Sequence, residues 1–336
     1  NGEEITSWAS YTVPAQNYNM HINYPSATMA IGADTNASSY LSDAYYAEYN
    51  YVDGQALDPS DFGETNADGV WSPKEYTGTY GTNGFYLPMK ETTQATGFNT
   101  VTYNGNGTEL KVTGVGFQPD LVWVKRRDNS VSYHRLIDSV RGGDKRLASN
   151  ATGGETTAST LIQSFDADGY TVGTDTGMNA SGDRYVAWCW DAGSSTVSNT
   201  DGTITSSVRA NPASGFSVVT WTGTSTNAST VGHGLSTAPK LIITKSRSNA
   251  SSWIVGIGNI SGFSVNDYLV LQSTGAKANS STFYQAYGSD TFTVGVSASN
   301  EMNKTGNNYV SYCFSEVAGF SKFGSYTGNG STSGPT

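Results

Sequence analysis

The chain has 336 residues, of which 36% are apolar, 14% charged and 12% aromatic, and its formal net charge is −10. That balance excludes a nucleic-acid binder, which carries a basic face, and a disordered chain, which is charge-rich and aromatic-poor. No apolar run reaches the roughly 18 residues of a membrane-spanning helix, and two cysteines are too few for a disulfide framework. The length allows two or three domains with real cores. Short stretches rich in Thr, Val and Tyr, separated by Gly, Asn, Asp and Ser, predict an all-β chain.

Residues 1–96 read as short strands closing in an acidic, turn-rich region. Tyr45, Ala47, Tyr49 and Tyr51 alternate with Tyr46, Glu48 and Asn50, the period of a half-buried strand. Pro59, flanked by Asp and Gly, stops any strand there. Asn83-Gly84 is the strongest short hairpin signal of this region.

From Gly97 onward one unit is written twice. The first copy begins Gly97-Phe98-Asn99-Thr100-Val101-Thr102-Tyr103, passes Pro119 and continues as Leu121-Val122-Trp123-Val124-Lys125. The second begins Gly215-Phe216-Ser217-Val218-Val219-Thr220-Trp221, passes Pro239 and continues as Leu241-Ile242-Ile243-Thr244-Lys245. Later pieces match too: Tyr170-Thr171-Val172-Gly173 with Phe292-Thr293-Val294-Gly295, and Tyr185 to Cys189 with Tyr309 to Cys313. These units, 97–192 and 215–318, predict tandem β-sandwich or jelly-roll modules, with the apolar strands at 121–124 and 241–243 central. Residues 193–214, poor in apolar content, read as a linker or long loop. A third copy opens at Gly319-Phe320 and is only begun by residue 336. Cys189 and Cys313 are expected to be buried thiols rather than a bridge.

Candidate chemistry is sparse. His21, His134 and His233 lack metal-site spacing, so no metal and no cofactor is expected. Asp166 and Asp168 are paired carboxylates on paper, but Asp-Gly before an alternating strand is a hairpin turn. Asp53, Asp58, Asp61 and Glu64 read as an acidic turn more readily than as a calcium cluster. No acid–base pair recurs in both units, so no enzymatic activity is expected. Residues 43–75 hold eight acidic side chains and one basic, whereas 125–146 hold seven basic and three acidic. Either these are two solvated faces, or an interface joins Arg126 and Arg127 to Asp58, Asp61 and Glu64, within a chain or between copies. Trp253, Tyr284 and Tyr287 are the candidate binding residues, either exposed for recognition or packed in a core.

Residues 53–64 (Asp53-Gly54-Gln55-Ala56-Leu57-Asp58-Pro59-Ser60-Asp61-Phe62-Gly63-Glu64) and the following Gly69-Val70-Trp71-Ser72-Pro73 to Phe85-Tyr86-Leu87 resemble a segment of virion appendage proteins from marine tailed bacteriophages. There the segment follows a laminin-G/concanavalin-like sandwich, and the repeated units resemble the tandem modules after it. Met29-Ala30-Ile31-Gly32-Ala33 and the Tyr-rich strand at 45–51 resemble only that sandwich's closing strands, so the resemblance implies an incomplete N-terminal laminin-G-like segment. It also implies an excerpt of a longer polypeptide, or strands supplied by neighbours. The function it implies is a homo-oligomeric virion structural protein, a tail fibre or other surface appendage outside the cell. Its expected partners are copies of itself, other virion proteins and host cell-surface polysaccharide, with no nucleic acid and no membrane insertion. The rival readings are a capsid-decoration or connector protein without receptor binding, and a cellular surface adhesin or filament subunit.

Overall fold

The computed structural model describes residues 49–65, 71–87, 96–128 and 131–331. The chain divides into two units, residues 1–92 and 93–336. The described part of the first unit is built of four three-residue strands, β1 (Tyr49–Tyr51), β2 (Gly63–Thr65), β3 (Trp71–Pro73) and β4 (Phe85–Leu87). β1 pairs with β4 and β2 with β3, and a 3-10 turn at Pro59–Asp61 ends the run where proline forbids a strand. Asn83-Gly84 does not close a hairpin. Asp53 Oδ2 accepts from the Asn83 backbone and side chain at 3.2 and 2.9 Å, and the strand that follows pairs back to β1. The signal is local, whereas the partner strand lies more than 30 residues upstream.

The second unit is the duplication made solid. Module 1 carries β5 (Phe98–Asn104), β6 (Leu110–Thr113), β7 (Leu121–Arg126), β8 (Arg135–Asp138), β9 (Lys145–Arg146), β10 (Thr156–Thr157), β11 (Ile162–Asp166), β12 (Gly169–Val172) and β13 (Arg184–Trp190). Module 2 carries β14 (Val197–Asn199), β15 (Ser206–Asn211), β16 (Phe216–Thr222), β17 (Ser229–Gly232), β18 (Leu241–Ser246), β19 (Ile254–Ile257), β20 (Asp267–Val270), β21 (Ala278–Asn279), β22 (Tyr284–Tyr287), β23 (Thr291–Val294) and β24 (Asn308–Phe314). One sheet of module 1 runs β5-β13-β7-β8, and module 2 repeats it as β16-β24-β18-β19. The opposing sheets run β11-β12-β6 and β22-β23-β17. Each module is a sandwich whose alternate residues meet between its sheets. Val122, Val124, Tyr170, Val172 and Cys189 fill the first core; Ile242, Phe292, Val294, Tyr309 and Cys313 fill the second. Both cysteines are free and buried, as expected, and burial pushes the Cys189 thiol up to about 12.

The recurring residues have identifiable jobs. Gly97 and Gly215 adopt φ of 136° and 69°, which an L side chain resists, and a Cβ at Gly215 would meet the Ser315 carbonyl at 2.6 Å. Hence the Gly-Phe start of each unit. Tyr185 and Tyr309 each accept a hydrogen bond from a backbone N–H five residues upstream, at Ala180 and Lys304. The lysine closing each central strand ties the next loop. Lys125 Nζ donates to Ser132 O, and Lys245 Nζ donates to Ser246 O, Asn249 O and Ser251 Oγ. Burial lowers Lys245 to about 8.

Two expectations change. Residues 193–214 are no linker: the whole of β15 pairs with β16 and β14 pairs with β15, extending the sheet of module 2 to eight strands. β14 is the edge strand and is mostly exposed, and β15 buries only Ser206 and Val208, so little apolar content is needed. Among the described residues of the third copy there is no strand. A single bridge, Val317 to Ser321, is formed at its start.

His233 is wholly buried. Its Nδ1 accepts from the Leu235 N–H at 3.2 Å, and Nε2 lies 3.2 Å from the Gly288 carbonyl, so the ring is held neutral. Burial lowers its pKa, against the opposing pull of Gly288, Asp290 and Asp201. A histidine depressed in the folded state contributes stability that is fully present above about pH 6.5 and is lost as pH falls from there through its folded value. His134, lowered by burial and by Lys125, acts in the same direction. We therefore expect the denaturation midpoint to fall between pH 7.5 and 5.5. A flat profile over that range would show that neither ring is protected.

Candidate functional site at the junction of the two sandwiches

The most elaborate side-chain arrangement of the second unit lies where its two modules meet. Leu121, Leu136 and Leu147 of module 1 share one buried cluster with Phe216, Val218, Trp253, Val255 and Tyr312 of module 2. The alternation of the strands explains this. Val122 and Val124 point into module 1's own core, so Leu121 faces the other way, as Leu136 does beside Ile137. Both faces of β8, β18 and β24 are therefore largely buried, whereas β5 keeps an exposed face.

A charged network crosses the same seam. The Arg141 side chain is fully buried, and Nε donates to Asp138 Oδ2 at 2.5 Å. Its Nη1 reaches Glu155 Oε2 at 3.0 Å, and Nη2 reaches Leu136 O and Tyr312 Oη at 3.0 and 3.1 Å. Tyr312, from module 2, donates to Asp138 Oδ2 at 2.8 Å. Arg247, also from module 2, grips Glu155 with two bonds of 2.9 Å. Burial alone would lower the Arg141 guanidinium and raise the Glu155 carboxyl. Asp138 and its neighbours hold Arg141 above its ordinary value instead, and Arg247 with Arg141 holds Glu155 below its own. A second cross-link is made by Arg209 Nε to Asp120 Oδ1 at 2.7 Å, with Ser139 and the Ala192 N–H completing the buried carboxylate's shell. Burial still leaves the Asp120 carboxyl above its usual range. Backbone joins in through Glu155 N to Arg247 O and Ser251 N to Thr152 O.

The predicted site residues land elsewhere than their exposed readings required. Trp253 is fully buried in the seam, donating from Nε1 to Ala148 O at 2.8 Å. Tyr284 and Tyr287 are buried in the core of module 2, stacked at 5.7 Å. The trio is packing, not a recognition face, because apolar burial outweighs display for such large rings. Arg126 is engaged by Asp183 at 2.6 Å within its own module, while Arg127 is exposed. Asp58 and Glu64 are exposed, and Asp61 accepts from the Asp58 N–H. These acidic residues belong to the first unit and the arginines to the second. Within the basic stretch, Arg126 pairs with Asp183, Arg141 with Asp138 and Lys145 with Asp144, all inside module 1. Asp168 is a turn residue as expected: its carboxylate accepts from Gly114 and Gly116 N–H, which hold its pKa down. His21 lies outside the described residues, and His134 accepts from Trp123 Nε1 at 2.9 Å. Among the described residues no group of three or more His, Cys, Asp or Glu gathers to hold a metal.

Beside the seam lies a cavity of about 510 Å³ walled by Phe98, Trp190, Phe216, Phe314, Phe320 and Phe323. The last two come from the opening of the third copy. Phe98 packs tilted against Trp190 at 4.9 Å, Trp190 against Phe216 at 6.1 Å and Phe216 against Phe314 at 4.9 Å, so the two Gly-Phe starts meet at this point. Nothing in the sequence showed that the phenylalanines beginning separate units would share a wall.

Fold and seam together define a fused pair of duplicated antiparallel sandwiches, joined by a common core and buried ion pairs. The chain belongs to the family described as Domain of unknown function (DUF7483), whose profile matches residues 93–336. That span takes in both modules and begins where the second structural unit begins. No curated protein and no solved structure matches the chain.

Proposed function

We propose that the chain is a structural protein of a tailed-phage virion, a homo-oligomeric fibre or surface-appendage subunit that helps form a host-attachment surface for cell-surface polysaccharide. The observation that carries this reading is the seam. Two modules that share a core and bury Arg141 between Asp138, Glu155 and Tyr312 have one allowed relative orientation. An extracellular scaffold that must hold a receptor surface at a fixed distance needs that property. The matched positions of the two units build the fold, while the loops between them differ, which suits a repeated scaffold with specificity in its loops. The resemblance of 53–87 to virion appendage segments supplies the location. No catalysis and no cofactor belong to this reading.

The test is peptide mass spectrometry of gradient-purified particles from the source that encodes the chain, with immunogold labelling by an antibody to residues 97–318. Peptides in the particle band and gold on surface appendages are expected. Gold confined to the capsid shell would favour the decoration role. Recovery only in cell-envelope fractions would contradict the virion assignment and favour a cellular adhesin.

A further inference from the structure

Module 1 holds a second cavity, of about 350 Å³, near the lower end of the range for small-molecule sites. Two arginines line it. β8 and the chain after β9 pair through Leu136 and Leu147, with N–H to carbonyl bonds of 2.9 and 3.1 Å. That register sets Arg135 and Arg146 on one face of the ladder as diagonal neighbours, where like charges repel. Arg146 Nε donates to Thr156 Oγ1 at 2.9 Å. Arg146 Nη1 and Arg135 Nε are shielded from solvent and donate to no protein group. Asp175 Oδ1 stands 3.9 Å from Arg135 Nε, too far for a hydrogen bond. No acidic side chain lines the cavity, in a chain whose net charge is −10.

The duplication says what the fold itself needs here. Leu121 pairs with Asp138 and Leu241 with Ile257, so Arg135 corresponds to Ile254. Leu136 pairs with Leu147 and Val255 with Leu269, so Arg146 corresponds to Tyr268. Module 2 fills both places with apolar side chains packed on its core. The sandwich is thus satisfied by an isoleucine and a tyrosine, whereas module 1 places two guanidinium groups there, faced only by Asp175 at 3.9 Å from Arg135 and by the Thr156 hydroxyl on Arg146. Both guanidinium groups line the cavity, and an oxyanion seated there would neutralise the pair and relieve the repulsion. At the mouth stands Tyr133, 51% exposed, and at Gly153 even a Cβ would meet nothing. An aromatic face beside an open rim fits a sugar ring.

We infer that this cavity binds the acidic group, carboxylate or sulfate, of a saccharide. The choice of a saccharide as carrier of the oxyanion rests on the attachment role proposed above; the arginine pair does not.

The test is titration calorimetry of the full chain at low salt with a galacturonate trisaccharide, a sulfated galactose trisaccharide, a neutral galactose trisaccharide and sodium sulfate alone. At least one acidic trisaccharide is expected to bind about tenfold or more tighter than the neutral one, and to weaken as salt is raised. Arg135→Ile with Arg146→Tyr, which installs the pair found in module 2, should abolish that preference without lowering the melting temperature. Arg146→Gln is the milder companion and should weaken binding about tenfold with an unchanged circular dichroism spectrum. Equal binding of acidic and neutral sugars, or full binding by Arg146→Gln, overturns the proposal. Sulfate alone binding as tightly as the sulfated trisaccharide makes this an inorganic-anion site and overturns the saccharide assignment. The proposed location fails separately. Particles that carry the chain while it binds no acidic sugar refute only this inference, and acidic-sugar binding by a chain absent from particles refutes only the virion role.

Discussion

Arg141→Met is expected to destabilise the protein by about 3–5 kcal/mol, the usual result of removing one partner from a buried ion pair. The side chains of Arg141 and Asp138 are both 0% exposed. Removing the guanidinium leaves the Asp138 carboxylate in the seam with Tyr312 and the Arg141 N–H as its remaining donors. It also strips the Leu136 carbonyl of one donor and Glu155 of one of its two arginines. The double change Asp138→Asn with Arg141→Met removes the stranded charge, so much of the loss should return. Urea denaturation of the three proteins checks this. A single variant that loses less than about 1 kcal/mol would show that water reaches the network and screens it.

Trp253→Ala is expected to cost about 3–5 kcal/mol, within the range for emptying a large aromatic site. More than volume is lost, because the Ala148 and Ala151 carbonyls of module 1 both accept from the indole N–H. Trp253 is buried in the shared cluster and bonds module 1 backbone, so its removal should loosen the modules from each other. Trp253→Phe keeps most of the packing and should cost less. The two variants are distinguished by hydrogen exchange: Trp253→Ala should give β7 and β13 a lower opening free energy than β18 and β24.

The repeat made the fold readable. Gly-Phe, the proline and the apolar run at Leu121–Arg126 and Leu241–Ser246 mark the same strands in both modules, and those runs lie interior in their sheets. They are unbroken rather than alternating because both faces are covered, one by the module's own second sheet and the other by the neighbouring module. That second covering was not legible. Arg141 sits in a stretch that reads as a charged surface loop, but it is buried against Asp138 and Glu155 of its own module and Tyr312, 171 residues later, while Arg247 grips the same Glu155. The Ser- and Thr-rich stretch after Trp190 failed as a linker for a related reason. Backbone pairing to β16 gives it order without an apolar signature. Trp253, Tyr284 and Tyr287 were ambiguous because aromatic residues serve cores and surfaces alike. The arginine pair was visible as charge, but its meaning came from register, which sets Arg135 against Ile254 and Arg146 against Tyr268.

The fusion of two sandwiches into one body is tested most directly by native-state hydrogen exchange with mass spectrometry on the intact chain. The slowest amides of β7 and β13 in module 1 and of β18 and β24 in module 2 should open with one common free energy, because the shared cluster and the Arg141 network are broken only when both modules unfold. Separate values for the two modules, differing by more than about 2 kcal/mol, would contradict a single body and reduce the seam to a contact between independent domains.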